Sequence, residues 1–379
     1  MIKKLMHGIH NPHLVEDWLK RRYNHFIYRL PPNKLNSPHC QRIALSLNSI
    51  CNLKCRMCDI GQRCSGEFYK NVTNGGELSI DTLRLFIEDV VNSVDNSPVI
   101  AINGTEPLLY PHITDLIKYI RSKNTMCELT TNGYLLQKFA QDFVGIQLPL
   151  INISIHGPEN IHNGIVGVPN SFERSYRGIE QIIEMKSKTK SKFPKIFVAF
   201  TISDANYQYL SETAAIFKDL GVDGIKFTHL NFVDNEMAQS HNEKYGWFYE
   251  VKKSSVGSTA PCSVDIDVLS DEIKTVNAIY QGKFVYFSPN LDRSDSIWQY
   301  YHKPSQFIGS KQCVVPWTNM QVLSNGDVIP ASRCFHIKYG NIYTNTFNEI
   351  WFGQNAMDFR DFLRKVGATP ACSRCCGIF

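Results

Sequence analysis

The sequence lacks several features that would place it outside the ordinary globular proteins. Its 379 residues contain no apolar run of about 18 residues, so we expect no transmembrane helix and no membrane span. The first residues are basic, but His7, His10 and Asn11 interrupt them before an apolar segment forms, and we expect no signal peptide. A low-complexity tract is also absent, and the 43% hydrophobic and 20% charged content is that of a globular chain.

Cysteine is too scarce for a disulfide scaffold, since there are 12 in 379 residues. It is also too clustered for a random scatter, with one tight group at 51–58 and another at 372–376. Such groups are the usual pattern of metal or cluster ligands in a reducing compartment. We therefore expect a cytoplasmic, metal-binding protein.

The net charge of +5 lies in the first 40 residues, which carry seven Lys or Arg side chains against Glu16 and Asp17. A basic arm of this kind can contact an acidic partner, a membrane surface or a nucleic acid, although it is more often a solvated helix. No aromatic stacking or groove-reading motif accompanies it. The sequence therefore gives no support for a nucleic-acid partner.

Beyond this arm, short apolar runs alternate with amphipathic stretches up to about residue 256. The runs are rich in Ile, Val, Phe and Thr, as buried strands are. Six such repeats predict an α/β fold in which a parallel sheet, with helices outside it, curls into a partial (β/α)6 barrel. We place strands at 42–49, 99–103, 127–131, 151–155, 196–202 and 224–229, and helices at 79–94, 113–122, 135–143, 172–188 and 207–220.

The remainder of the chain has a different composition. It follows a small, loop-like segment at 254–261 and is rich in Gly, Pro, Asn and aromatic residues. Asn325-Gly326 within it is a strong signal for a two-residue hairpin. The sequence therefore predicts a basic arm at 1–40, a barrel at 41–256 and a small α+β domain at 257–379.

The cysteines at 51, 55 and 58 form a C-x3-C-x2-C motif directly after the first predicted strand. Three thiolates on one tight loop can ligate three irons of a cubane and leave the fourth iron open. A structural zinc site usually has C-x2-C pairs and four ligands, and only Cys64 lies near enough to be a fourth. The chemistry of parallel α/β folds gathers at the carboxyl ends of the strands, where this loop lies. The motif therefore favours a catalytic [4Fe–4S] cluster.

Three later segments strengthen this interpretation, because together with the cysteine motif they resemble the signature of the radical S-adenosylmethionine (SAM) superfamily. Residues 103–107, Asn-Gly-Thr-Glu-Pro, are similar to the family's Gly-Gly-Glu-Pro segment, with Thr105 at the second glycine. Residues 130–133 resemble its Thr-Asn-Gly motif. Residues 154–158 resemble its Ser-x-Asp-Gly-Pro segment, with His156 in place of the acid.

The resemblance implies a cluster that cleaves SAM reductively to a 5′-deoxyadenosyl radical, which then removes a hydrogen atom from a substrate carbon. It also implies an electron donor of the flavodoxin or ferredoxin type. It assigns the SAM cluster to Cys51, Cys55 and Cys58, and SAM binding to Gly104, Thr105, Glu106, Thr131, Asn132, Ser154 and Ile225.

A second ordered series runs through the C-terminal part and resembles the SPASM/Twitch extension of radical SAM enzymes. It comprises Cys313-Val-Val-Pro-Trp, a Gly-Asp-Val-Ile-Pro segment at 326–330, Cys334, and Cys372-Ser-Arg-Cys375. The resemblance implies one auxiliary [4Fe–4S] cluster on these four cysteines. Cys376 in place of Cys375, Cys262 as a further ligand, and a zinc site on the same sulfurs stay open as alternatives.

The sequence defines the catalytic base and the substrate less well. An oxidation needs a base, and position alone suggests His229, His156, Asp265 and Asp267. Family members with one auxiliary cluster act on small molecules or on peptides, and an arm of about 40 residues is too short for a folded leader-peptide recognition domain. The resemblance therefore favours oxidation or rearrangement of a small, sugar-like or alcohol metabolite. A peptide substrate is the alternative, and a non-catalytic electron carrier is a distant one.

Overall fold

The computed structural model describes residues 40–61, 76–256, 259–280, 284–291, 293–308, 311–331, 334 and 336–378. The expectations for the basic arm and for Cys64 fall on residues outside this set. Within the described part of the chain, no helix is both long enough and apolar enough to cross a membrane.

A parallel sheet forms the centre of the fold, and its strands coincide with the apolar runs of the sequence. Each strand pairs in parallel with the next one along the chain, which requires a crossover between them. The predicted α/β class with a partial barrel is confirmed. The six strands are β1 (Arg42–Leu45), β2 (Val99–Ile102), β3 (Cys127–Thr131), β4 (Leu150–Ser154), β5 (Lys195–Ile202) and β6 (Gly224–His229).

Amphipathic helices form the crossovers and cover one face of this sheet. The first of them begins after Ser79, whose Oγ accepts a hydrogen bond from Thr82 N (3.4 Å) and so caps the helix. The last ends at Gly221, which has the left-handed φ of 88° that favours glycine. The crossover helices are α1 (Ile80–Ser93), α2 (Ile113–Ser122), α3 (Leu136–Gly145), α4 (Glu159–Val166), α5 (Ser171–Thr189) and α6 (Leu210–Leu220).

The sheet does not end near residue 256, where the sequence analysis placed the end of the strand–helix rhythm. After α7 (Asn235–Tyr245) and α8 (Ile266–Ile279), β7 (Phe284–Ser288) pairs in parallel with β6. Sequence analysis missed this strand because it is only five residues long and lies in a segment dominated by turn residues. At the other edge, β8 (Asn319–Val322) pairs in parallel with β1. The C-terminal part therefore continues the sheet at both edges.

The hairpin predicted at Asn325-Gly326 is confirmed. β8 and β9 (Asp327–Ile329) are antiparallel, and Gly326 has a φ of 85°. β10 (Gly340–Asn341) extends the sheet beyond β9. The helices of this part are α9 (Ser294–His302), α10 (Val315–Thr318), α11 (Phe347–Trp351) and α12 (Gln354–Val366).

The two faces of the sheet differ because side chains alternate along each strand. On β5, the side chains of Ile196, Val198 and Phe200 face the helices and are at most 1% exposed. Those of Phe197 and Ala199 face the other way and are half-buried. We call this second face the inner face, because it lines the interior of the partial barrel.

Candidate functional site

The loop that carries Cys51, Cys55 and Cys58 follows β1 and is held in place by α4. Two of its backbone N–H groups donate to carbonyls at the end of that helix, at 2.8 and 3.0 Å. Burial raises the pKa of Cys51 to about 11, and burial together with the two neighbouring thiols raises that of Cys55. Burial thus disfavours the thiolate at two of the three cysteines, which fits a group that stabilises thiolates, as the irons of a cluster do.

Glu106 joins the loops that follow β2 and β3. Its buried carboxylate accepts hydrogen bonds from Thr131 Oγ1 (2.6 Å), Asn132 N (2.8 Å) and Leu108 N (2.9 Å). Burial raises its pKa to about 6, and these hydrogen bonds oppose the rise. Because both carboxylate oxygens are used within the protein, we expect this segment to contact SAM mainly through its backbone.

Thr105, which stands where the family motif has a glycine, ties this segment to the cysteine loop. Its Oγ1 lies 2.6 Å from Asn48 Oδ1 and 2.8 Å from Asn48 O. Asn48 Nδ2 in turn donates to Glu106 O (3.0 Å). Sequence analysis did not single out Asn48, although its place between β1 and Cys51 was a signal that could have found it.

Gly104 lies two residues after β2 and has a φ of 106°. A Cβ atom there would come within 2.4 Å of Ser46 Oγ, so no larger side chain fits without movement. Ser46 Oγ accepts a hydrogen bond from Gln321 Nε2 of β8 (3.0 Å). The segment predicted to bind SAM is therefore packed directly on a contact between β1 and the C-terminal part.

Asn132 brings the end of β3 to the first cysteine. Its Nδ2 donates to Asn52 Oδ1 (2.8 Å) and lies 3.9 Å from Cys51 Sγ. Ser154 ends β4 half-buried, whereas the side chain of Ile225 on β6 is buried beneath the helices, so that only its backbone can serve a ligand. The SAM contacts of these residues stay predictions.

The two histidines suggested as bases lie behind the sheet, which corrects that expectation. His229 has the same parity on β6 as the buried Ile225 and Phe227, so it faces the helices, where its Nδ1 lies 2.8 Å from Tyr301 Oη. His156 is buried beside Phe200, and its Nδ1 accepts a hydrogen bond from Thr201 N (3.3 Å). Burial lowers the pKa of His156 to about 4. Alternation of side chains places the ring of His229, whereas His156 lies beyond the end of β4 and stacks on His162 of α4.

The two aspartates suggested as bases belong to the start of α8. Asp265 caps this helix, because its Oδ1 accepts from Asp267 N (3.0 Å) and Val268 N (3.1 Å). Asp267 lies in the first turn, where a negative charge suits the helix dipole. Both carboxylates are exposed. The helix start gives both side chains a structural role, and the suggestion that they act as bases stays a prediction.

Acidification is expected to destabilise the folded protein through His229. Burial lowers the pKa of His229 to about 3, below the value of about 6.5 for an exposed imidazole, so the unfolded chain binds a proton that the folded chain does not. Between these two pKa values, stability falls by about 1.4 kcal/mol for each unit of pH lost. From pH 8 to pH 5.5, wild type should lose about 1.4 kcal/mol more than His229→Gln in urea unfolding. Equal losses in the two proteins would contradict a neutral, buried ring.

The cysteines of the C-terminal part surround one cavity of about 230 Å³. Cys262 does not line it, since it is exposed in a turn at 261–263. Cys375 is buried and Cys376 is exposed, and both line the cavity, so the choice between them stays open. The cysteines that line the cavity are Cys313, Cys334, Cys372, Cys375 and Cys376.

The surroundings of these sulfurs fit a bulky cluster. A Cβ atom on Gly377 would lie 3.3 Å from Cys313 Sγ, so glycine leaves room at the sulfur. Burial raises the pKa of Cys313 and Cys334, with neighbouring thiols adding to the rise. Among the described residues, no three Cys, His, Asp or Glu side chains converge on a point that a single metal ion could occupy. A cubane does not require such convergence, because each thiolate binds a different iron.

The same cavity continues along the inner face to the segment predicted to bind SAM. Its lining includes Arg42 of β1, Gln321 of β8 and Asn103, which follows β2. Arg42 lies opposite Val99 in the sheet, so Asn103 is four residues, or about 13 Å, farther along the strands. One cavity therefore connects the auxiliary cysteines with the SAM motif.

Arg374 fixes the loop between Cys372 and Cys375, a role that sequence analysis missed. Its side chain is fully buried, and it donates five hydrogen bonds of 2.7–2.9 Å to backbone carbonyls, most of them in the last turn of α9 and just after it. Burial lowers its pKa to about 10. The carbonyls belong to Gln299, Tyr300, Lys303, Gln306 and Ser373.

Comparison with known proteins agrees with this geometry. The model of the radical SAM superfamily matches residues 45–194, and that of SPASM, an iron–sulfur cluster-binding domain, matches 313–376. The AdoMet-dependent heme synthase of Methanosarcina barkeri is 28% identical over 56% of this chain and 59% of that protein. The pre-heme d1 synthase of Dinoroseobacter shibae is 24% identical over 89% of this chain and 80% of that protein. The chain spans about half the length of the first curated relatives that it matches.

Solved structures show the same fold. SuiB of Streptococcus suis bound to S-adenosylmethionine superposes with a TM-score of 0.58 at 16% identity, over 86% of this chain and 68% of that one. The two family matches fall on the two groups of cysteines. The chain therefore belongs to the radical SAM superfamily and has a C-terminal SPASM domain, and its cofactors are SAM, a [4Fe–4S] cluster in the barrel and an auxiliary iron–sulfur cluster in the SPASM domain.

Proposed function

We propose that this enzyme oxidises a small polar metabolite, sugar-like or an alcohol, on the inner face of the barrel. The observation that carries the proposal is the cavity of about 230 Å³, which is lined by Asn103 at one end and by the auxiliary cysteines at the other. A molecule in this cavity would be within reach of both cofactors. Apolar side chains form much of the lining, and the guanidinium of Arg42 together with the amides of Asn319 and Gln321 offers polar contacts to a ligand.

The chain's own residues would hold the cofactors and the substrate in place. When bound, the cluster on Cys51, Cys55 and Cys58 together with SAM supplies a 5′-deoxyadenosyl radical that removes a hydrogen atom, and the auxiliary cluster supplies a one-electron acceptor. Glu106 keeps the strand-end loops in register for this purpose. Glu128 on β3 is a carboxylate of the inner face that can accept the proton released by oxidation, a role for which both histidines are badly placed.

An electron donor of the flavodoxin or ferredoxin type is part of the proposal. The cysteine loop presents Lys54 and Arg56 at the surface, and both side chains are exposed. Cationic groups beside the first cluster would favour an acidic carrier through complementary charge. The need for low-potential electrons and reduced thiols also favours the cytoplasm as the location.

The relatives favour two other substrate classes. The heme synthase and pre-heme d1 synthase are named for tetrapyrrole products, so a tetrapyrrole side chain is a second candidate. SuiB has also been solved with its precursor peptide SuiA, at a TM-score of 0.59, 15% identity and coverage of 92% of this chain and 73% of that one, which keeps a peptide as a third. A tetrapyrrole and a peptide are both too large to fit entirely within the cavity between Asn103 and the auxiliary cysteines.

Anaerobic reconstitution tests the proposal. We expect about eight irons per chain and formation of 5′-deoxyadenosine from SAM with dithionite as reductant. Replacing Cys51, Cys55 and Cys58 together by Ala should leave about four irons and abolish 5′-deoxyadenosine. Replacing Cys313 and Cys334 by Ala should also leave about four irons but retain SAM cleavage.

Cys262→Ala is the control, since this thiol is exposed and outside the cavity. It should change neither the iron content nor the rate. Stoichiometric zinc without iron, or SAM cleavage that survives the triple substitution, would refute the assignment of the clusters.

A further inference from the structure

Arg42 on β1 and Glu128 on β3 form an ion pair across β2. Arg42 Nη2 lies 2.6 Å from Glu128 Oε2, and the two side chains are 33% and 21% exposed. The register places both side chains on the inner face. Arg42 lies on the same side of β1 as Ala44, because side chains alternate along a strand. Ala44 is aligned with Ala101 of β2, and Ala101 is aligned with Glu128 of β3. Arg42 also lines the cavity that contains the auxiliary cysteines. Nothing in the family motifs assigns a role to either residue.

The pair uses only part of its hydrogen-bonding capacity. A guanidinium has five N–H donors and a carboxylate has about four acceptor sites, whereas the contact between Arg42 and Glu128 joins one nitrogen to one oxygen. Arg42 lines the cavity, and Glu128 lies directly beside it with neither side chain fully buried. A donor group and an acceptor group therefore lie next to each other on the inner face.

The opposite charges of Arg42 and Glu128 limit which ligands can bind beside them. A guanidinium and a carboxylate at 2.6 Å largely neutralise each other, and an anionic ligand would meet repulsion from Glu128 as well as attraction from Arg42. Two adjacent hydroxyl groups match the pair better, since one can accept from Arg42 while the other donates to Glu128. Asn103, Asn319 and Gln321 line the same cavity and add further uncharged donors and acceptors.

We propose that Arg42 and Glu128 determine specificity by binding a vicinal diol of the substrate. The inference rests on the proposed function, because it takes the cavity as the substrate site, and it narrows the substrate to a neutral molecule with adjacent hydroxyl groups. The diol binds beside the auxiliary cysteines, at the start of β1. The carbon that loses its hydrogen is the diol carbon nearer to Asn103 and the SAM motif, so that Glu128 can accept the proton of its hydroxyl group.

Three probes on one ring test this assignment: cis-1,2-cyclohexanediol, cyclohexanol and cyclohexanecarboxylate. Each is titrated by ligand-observed NMR into the reconstituted holoenzyme saturated with SAM. We expect the diol to bind at least about 10-fold more tightly than cyclohexanol, since it makes one more hydrogen bond to a charged group. Arg42→Met should remove this preference. If the methionine variant does not fold, Arg42→Lys is used instead and should reduce the preference, because lysine lacks the planar fork of donors.

Glu128→Gln provides a sharper test, because it uncovers the charge of Arg42. In this variant the dissociation constant of cyclohexanecarboxylate should fall by about 10-fold or more, while the preference for the diol weakens. Glu173→Gln is the matched control, since Glu173 pairs with Arg177 on the exposed side of α5 at 2.5 Å. This control should leave the affinities for all three probes unchanged.

Two outcomes would overturn the inference. The first is wild-type protein that binds the carboxylate more tightly than the diol in an Arg42-dependent way, since the pair would then hold an anion. The second is equal affinity for diol and cyclohexanol, or no binding of the diol. Iron content and 5′-deoxyadenosine formation are measured on the same preparations. A preparation that cleaves SAM but shows no preference for the diol refutes only this inference, whereas one without iron or SAM cleavage refutes the proposed function.

Discussion

Replacement of Arg374 by Lys is expected to destabilise the protein by about 4 kcal/mol or more and to release the auxiliary cluster. Five carbonyls depend on the guanidinium, and each one left buried without a donor costs about 1–3 kcal/mol. A lysine has three donors on a single nitrogen and cannot reach the same set. Because Arg374 lies between Cys372 and Cys375, its loss also frees the loop that positions two cysteines of the cavity.

Urea unfolding and iron analysis of the reconstituted protein measure this effect. We expect the iron content to fall from about eight toward about four per chain, while 5′-deoxyadenosine formation at the first cluster persists. Arg293→Lys at the start of α9 is the control, since Arg293 is exposed and pairs with Asp295 at 3.3 Å. It should change stability by less than about 0.5 kcal/mol. Full iron content and unchanged stability in Arg374→Lys would show that the five hydrogen bonds are dispensable.

Gly104→Ala should weaken SAM binding by about 10-fold or more. The substitution combines two costs, a φ of 106° that side chains rarely adopt and a Cβ atom 2.4 Å from Ser46 Oγ. The backbone after β2 would have to move to relieve this clash. We expect SAM to bind to this same backbone. The dissociation constant of SAM, measured by equilibrium dialysis under anaerobic conditions, reports the effect.

Two variants separate the causes. Gly221→Ala has the same kind of backbone strain, at a φ of 88°, but its Cβ atom would meet nothing within 4 Å, so it should cost stability without changing SAM affinity. Adding Ser46→Gly to Gly104→Ala removes the atoms that clash and should recover part of the lost affinity. An unchanged dissociation constant in Gly104→Ala would mean that the 103–107 segment does not hold SAM through its backbone.

Sequence was sufficient for the features that depend on local chemistry. The strands of the barrel follow from apolar runs, and the hairpin follows from Asn325-Gly326. The two groups of cysteines were visible as spacing alone. Side-chain parity could also have been used on β6, since Ile225, Phe227 and His229 share a face and two of them are apolar. Applied in advance, it would have removed His229 from the candidate bases.

Other features depend on contacts between distant segments and leave no trace in a single sequence. Arg374 donates to carbonyls of Gln299 and Tyr300, which any residue type could supply. Arg42 and Glu128 are 86 positions apart, and their pairing follows only from the register of three strands. β7 was not predicted for a different reason. It has only five residues and is surrounded by turn-forming residues, so its sequence pattern is too short to indicate a strand.

The pairing of β8 with β1 determines where the sheet has its open edges. Among the residues that the structure describes, these edges are β10, of two residues, and β7. A chain cut before β8 would turn β1 into an edge strand, with its row of N–H and C=O groups available to other molecules. The SPASM domain thus protects the barrel from intermolecular strand pairing, a task that is independent of any cluster it binds.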